Sequence, residues 1–71
     1  GGTAPAILNA ANEIAVAAFL DEKIRYTDIP RLVGLALEQV AARPAQDLDT
    51  ILADDFAARD AVERALSHGV R

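Results

Sequence analysis

Asn9, Asn12 and Glu13 are the residues whose types and spacing come nearest to a chemical signal. At i, i+3 and i+4 they share one face of a helix. That face is otherwise apolar at Val16 and Leu20. Asn is a poor helix-interior residue, because its short side chain competes for backbone hydrogen bonds. Two Asn and a Glu together therefore ask for polar partners off the helix. Three readings are open at this point: a solvated stripe, a hydrogen-bonded patch that docks another segment, and direct catalysis.

The other chemical candidates are weaker. His68 is the only histidine, and near a helix C-terminus it serves as a solvated cap favoured by the dipole. Ser67 is its neighbour, but adjacent helical side chains do not converge into a nucleophile–base dyad. The pairs Asp21-Glu22 and Asp54-Asp55 read as caps and solvated charge. A hard-cation site would need several converging oxygens. Gly1-Gly2 has no following Gly-Lys and no third glycine, so it is not a phosphate-cradling loop.

Composition narrows the classes further. With 71 residues the chain is too short for a doubly wound nucleotide-binding fold or a barrel. Of 37 apolar residues 16 are alanine, which leaves 21 larger ones for a core. There is no cysteine, hence no disulfide and no thiolate metal site to reinforce a small fold. A net charge of −4 argues against nucleic acid and against anionic membrane surfaces. The longest apolar run, Ile14 to Leu20, is too short to span a bilayer. Gly1-Gly2-Thr3 lacks the basic start of a signal peptide. Met is absent throughout, as expected of a segment cut from a longer chain or of a chain that has lost its initiator.

The elements that must position these residues are helical. The first is expected from Ala4 to Leu20, capped by Thr3, with Pro5 tolerated in the first turn. Ile7, Ala11, Ile14, Ala15 and Ala18 form its apolar face, widened by Leu8, Phe19 and Leu20. Ile24 to Tyr26 is a connector. Thr27 caps a second helix that runs to about Ala42, with Ile29, Leu32, Val33, Ala36, Leu37 and Val40 facing inward. Pro44 pushes Arg43 out of the helical region. Asp47 or Asp49 caps a helical turn at Leu48, Ile51 and Leu52. Asp54-Asp55 then offers a second start, for a main third helix that ends near His68 with Gly69 as its stop. Its inward face is Ala58, Ala61, Val62 and Ala65, with Phe56 and Leu66 at the margins. Asp55–Arg59 and Asp60–Arg64 are i,i+4 pairs with the acid first. No stretch is long enough to found a sheet. The expected fold is all-α, with three main helices forming part of a bundle.

The run from Gly1 to Leu20, and above all Leu8-Asn9-Ala10-Ala11-Asn12-Glu13 followed by Ala15-Val16-Ala17-Ala18-Phe19-Leu20, resembles the C-terminal region of the 1-deoxy-D-xylulose 5-phosphate reductoisomerase family. The likeness continues through Ile24-Arg25-Tyr26-Thr27-Asp28-Ile29-Pro30. It becomes looser at Asp49-Thr50-Ile51-Leu52 and at Asp55, Ala58 and Arg59.

The resemblance implies that residues 1–71 are the C-terminal helical domain of a larger three-domain, homodimeric enzyme of the bacterial cytoplasm. That enzyme uses NADPH and a divalent cation (Mg, Mn or Co) to convert 1-deoxy-D-xylulose 5-phosphate to 2-C-methyl-D-erythritol 4-phosphate in non-mevalonate isoprenoid synthesis. The family's catalytic, cofactor and metal residues precede this region, so none is assigned here. Asn9, Asn12 and Glu13 are expected to form an interdomain polar patch. The family's bundle also carries a helix before the Gly-Gly-Thr segment, so an apolar groove is expected to lie open here or to be covered by self-association. Apart from the resemblance, an acidic helical interaction module with no enzymatic kinship is the alternative. A DNA-binding helical domain is disfavoured by the charge.

Overall fold

The computed structural model describes residues 2–69, so Gly1 of the Gly1-Gly2 pair lies outside the described residues. Three helices follow in order: α1 (Ala4–Leu20), α2 (Asp28–Gln39) and α3 (Leu48–Ser67). Each packs against the other two. The result is an elongated all-α bundle of 37 × 18 × 17 Å.

The α1 helix forms where alanine spacing and Pro5 in the first turn favour it. Its buried stripe is Ile7, Ala10, Ala11, Ala15 and Ala18. Because four of these five are alanines, α2 and α3 approach the α1 backbone closely. The helix closes with the paired bonds of a Schellman turn: the Lys23 amide donates to Ala18 O at 2.9 Å and the Glu22 amide to Phe19 O at 3.0 Å. Glu22 takes the left-handed position that glycine usually fills, with φ of 60°.

Thr27 stands at the start of α2 but makes no side-chain cap bond. The adjacent Asp28 is buried, and its carboxylate accepts the Arg25 amide at 2.9 Å, which ties down the connector. Leu32 and Ala36 are the buried apolar residues of α2, with Ile29, Val33 and Val40 packed against the core. The helix stops three residues before the expected Ala42. Val40 turns extended, at φ −112° and ψ 101°, and the following chain runs back to meet the N-terminal end of α1.

The α3 helix is one element rather than a capped turn followed by a second start. Asp47 is its cap, accepting the Thr50 amide and the Thr50 hydroxyl, each at 2.8 Å. With that end satisfied and no Gly or Pro before Gly69, nothing interrupts the helix at Asp54-Asp55. Ala58, Ala61 and Val62 are buried as expected, and Ala65 and Leu66 pack at the edge. Gly69 ends the segment at φ 84°, as expected of a glycine stop.

The interior is built from small residues; Ile7, Leu32, Val62 and Thr3 are its largest fully buried side chains. Leu8, Leu20, Leu37 and Phe56 do not join it. They stay exposed, Phe56 at 71%. Among the described residues the only β pairing is a single bridge between Gly2 and Pro44.

Candidate functional site

The α1 helix places Asn9 and Glu13 one turn apart on its exposed side, with an Asn9 Nδ2 to Glu13 Oε2 hydrogen bond of 3.4 Å. Glu13 Oε1 then accepts a bond of 3.0 Å from Arg59 of α3, whose Nε donates to Asp55 at 2.7 Å. These bonds, Asp55 first and Glu13 second, raise the Arg59 pKa above its ordinary range and keep the guanidinium charged. The result is an ionic rung between α1 and α3. The Asp55–Arg59 and Asp60–Arg64 pairs form as their spacing suggests, at 2.7 and 3.0 Å. Arg59 as the partner of Glu13 was not legible in the sequence, because 46 residues separate the two.

Asn12 stands apart from that rung. It lines a groove of about 410 Å³ between α1 and α2, together with Leu8, Val16, Tyr26, Ile29 and Val33 among others. One wall is fixed by the edge-on contact of Tyr26 with Phe19, whose ring centroids are 5.5 Å apart. Among the described residues Asn12 makes no side-chain hydrogen bond, so its amide is available to a group seated in the groove. The expected three-residue patch is therefore divided: two members brace α1 against α3 and one faces an apolar recess.

A second polar cluster was not foreseen. Thr3 occupies the cap position of α1 but does not cap it. Its hydroxyl accepts the Arg43 amide at 3.0 Å, while Arg43 O accepts the Thr3 amide at 2.9 Å. The Arg43 guanidinium grips the carboxylate of Asp54 with two bonds, of 3.1 and 3.0 Å. Asp54 is only 6% exposed. The Arg43 bonds, and then a bond from the Thr3 hydroxyl, hold its pKa below the ordinary 3.8. The available signal was periodicity: Asp54 lies four residues before Ala58, on the inward stripe.

The remaining candidates do not converge. Asp21 pairs with Lys23 at 3.4 Å on the surface. Ser67 donates its hydroxyl back to Glu63 O at 3.1 Å, leaving it turned away from any dyad with His68. A recess of about 590 Å³ between the ends of α1 and α3 is lined by Ile14, Ala18, Asp21, Lys23, Glu63 and Ser67 among others. Its one cation is already paired. Among the described residues no three His, Cys, Asp or Glu side chains group as metal ligands, and no helix is long and apolar enough to cross a membrane.

What the geometry offers is a three-helix frame with an open, largely apolar groove between α1 and α2. Residues 1–61 match the family described as DXP reductoisomerase C-terminal domain. The chain belongs to that family. It is 56% identical over 66 residues to the 1-deoxy-D-xylulose 5-phosphate reductoisomerase of Cupriavidus metallidurans, covering 93% of this chain. It is 52% identical over 67 residues to that of Ralstonia nicotianae, covering 94%, and 54% identical over 68 residues to that of Xanthomonas oryzae pv. oryzae, covering 96%. The chain spans only 17% of the length of each of these reductoisomerases.

Proposed function

We propose that this segment is the supporting helical domain of an NADPH-dependent reductoisomerase. The whole enzyme converts 1-deoxy-D-xylulose 5-phosphate to 2-C-methyl-D-erythritol 4-phosphate with a divalent cation. It works as a homodimer in the cytoplasm, and the larger part of the chain, outside this span, carries out the reaction. The observation that carries the reading is identity of 52–56% across more than nine-tenths of this chain to proteins of that name.

Within that enzyme this domain makes no bond to reacting atoms. Its residues bind and orient. The Glu13–Arg59–Asp55 rung ties α1 to α3, while Asn12 faces the separate groove between α1 and α2. The catalytic part of the same polypeptide is the occupant, since the relatives carry five-sixths of their length outside this span. An apolar side chain on Val16 and Tyr26, with one hydrogen bond to Asn12, is the contact such a groove favours.

The test is an NADPH-oxidation assay on the full-length enzyme with 1-deoxy-D-xylulose 5-phosphate and magnesium. Turnover that depends on both is expected, and substrate-independent oxidation or none at all would overturn the reading. In the same assay, Glu13→Gln is expected to leave the requirement for the cation unchanged, because Glu13 serves Arg59 and not a metal.

A further inference from the structure

Leu48, Leu52, Asp55, Arg59, Glu63 and Leu66 recur at intervals of three and four, so they share one face of α3. The α1 helix borders that face. Glu13 bonds to Arg59 at its middle, and Ile14, Ala17 and Ala18 stand with Glu63 and Leu66 around the recess of about 590 Å³ at its far end. At the near end Leu48 and Leu52, one turn apart, are 66% and 55% exposed. The chain enters the bundle at this same end. Gly2 pairs with Pro44, and the Thr3 amide donates to Arg43 O at 2.9 Å, in the loop that leads into Leu48. From there α1 and α3 run side by side in one direction, since Glu13 meets Arg59 and the later Ala17 and Ala18 stand by the later Glu63 and Leu66. A segment that reaches Gly2 along this face lies antiparallel to both helices, the arrangement that short connections favour. In the groove between α1 and α2 it would instead run parallel to α2, which ends beside the entry point.

We propose that the polypeptide immediately preceding Gly1 forms an amphipathic helix seated on this face of α1 and α3. Its last turns cover Leu48 and Leu52, and its earlier ones reach Ile14, Ala17 and Leu66. The inference rests on reading this segment as part of a reductoisomerase, of whose length the chain spans only 17%. A helix before this segment is expected from the family resemblance; the face it covers follows from the exposed leucines and the point of entry. From Leu48 to Leu66 the face is roughly 27 Å long, about 18 residues of helix. Gly1-Gly2 supplies the glycine at which such a helix stops. The Glu13–Arg59–Asp55 rung lies midway, so the occupant carries a small or polar residue there, because an apolar one would strip water from the charges. The groove between α1 and α2 is left to the catalytic part.

Photo-crosslinking in the full-length enzyme tests this. A benzophenone amino acid takes the place of Leu52 in one protein and of Leu8 in another, and mass spectrometry identifies the captured peptides. The probe at Leu52 is expected to capture the stretch within about 20 residues before Gly1. The capture should fall within one polypeptide, without the doubled mass of a linked pair. The probe at Leu8 should capture a different peptide. Capture of the preceding stretch by the Leu8 probe, or of anything else or nothing by the Leu52 probe, would overturn the proposal. Hydrogen exchange adds a second reading with a milder change. Leu52→Ala is expected to speed exchange in the preceding stretch roughly tenfold, while amides near Leu32 keep their protection. Unchanged rates there, or an equal loss near Leu32, would count against the seat. Failure of the unaltered enzyme to oxidise NADPH would instead strike the functional reading and leave the crosslinks standing.

Discussion

At the scale of single residues, chemistry in this domain is spent on joining helices. Asp54 illustrates how. A carboxylate on the inward face of a helix is costly to bury unless its oxygens are bonded, and both are taken by the Arg43 guanidinium. Its pKa lies below the ordinary 3.8, with the Arg43 bonds as the leading cause. Asp47, bonded to Thr50, is shifted in the same direction. A depressed folded-state value gives stability that is present above the unfolded value and is lost as pH falls through the folded one. The full-length enzyme is therefore expected to lose resistance to urea as pH drops below about 4. Asp54→Asn should be the less stable protein near neutrality, and the gap between the two should narrow in acid. Urea unfolding at a series of pH values, followed by helical circular dichroism, checks this. A gap that stays constant down to about pH 2 would show that the charge of Asp54 contributes nothing.

Among the elements, α1 was the most legible. Its bounds and most of its apolar stripe follow from alanine at helical spacing, but Ala10 joins the stripe, Ile14 is only partly buried, and Leu8 and Leu20, expected to widen the face, are exposed. Its neighbours were less so. The sequence places the end of α2 near Ala42, but three residues of helix are given up because the chain must turn back to bring Arg43 to Thr3. Likewise Asp54-Asp55 has the composition of a helix start, and local composition does not reveal that Asp47 had already supplied the cap. The alanine stripe makes a prediction of its own. Ala15 is fully buried, so Ala15→Leu has no room to expand into. It should cost about 1–3 kcal/mol through overpacking and lower the melting temperature of the full-length enzyme. Scanning calorimetry showing an unchanged or raised transition would indicate slack between α1 and its partners.

For the whole molecule, the decisive feature is apolar surface that the bundle does not cover. Leu8 is 49% exposed and Tyr26 71%, and both border the groove that contains Asn12. Were that surface wet in the full-length enzyme, Leu8→Ala would change stability by no more than about 0.5 kcal/mol, as surface substitutions do. If the catalytic part seats there, the same change should cost about 2–5 kcal/mol, the range of a buried leucine. Denaturant unfolding of the two full-length proteins separates these magnitudes. The candidate patch belongs to this scale too. Asn9, Asn12 and Glu13 were found on one face by spacing alone, but which of them braces α3 and which faces the groove depended on the placement of Arg59 and Tyr26.

The sequence by itself determined the helical class, the start and end of α1, the inward stripe of α3, the Gly69 stop and the family. All of these rest on spacing within about 20 residues, or on a motif whose residues are contiguous. Tertiary structure alone decided the meeting of Thr3, Arg43 and Asp54, the Glu13–Arg59 rung, and the exposure of Leu8 and Phe56. The reason is physical. A hydrogen bond between groups some 40 residues apart depends on how whole helices cross, and a leucine is buried only if another surface arrives to cover it.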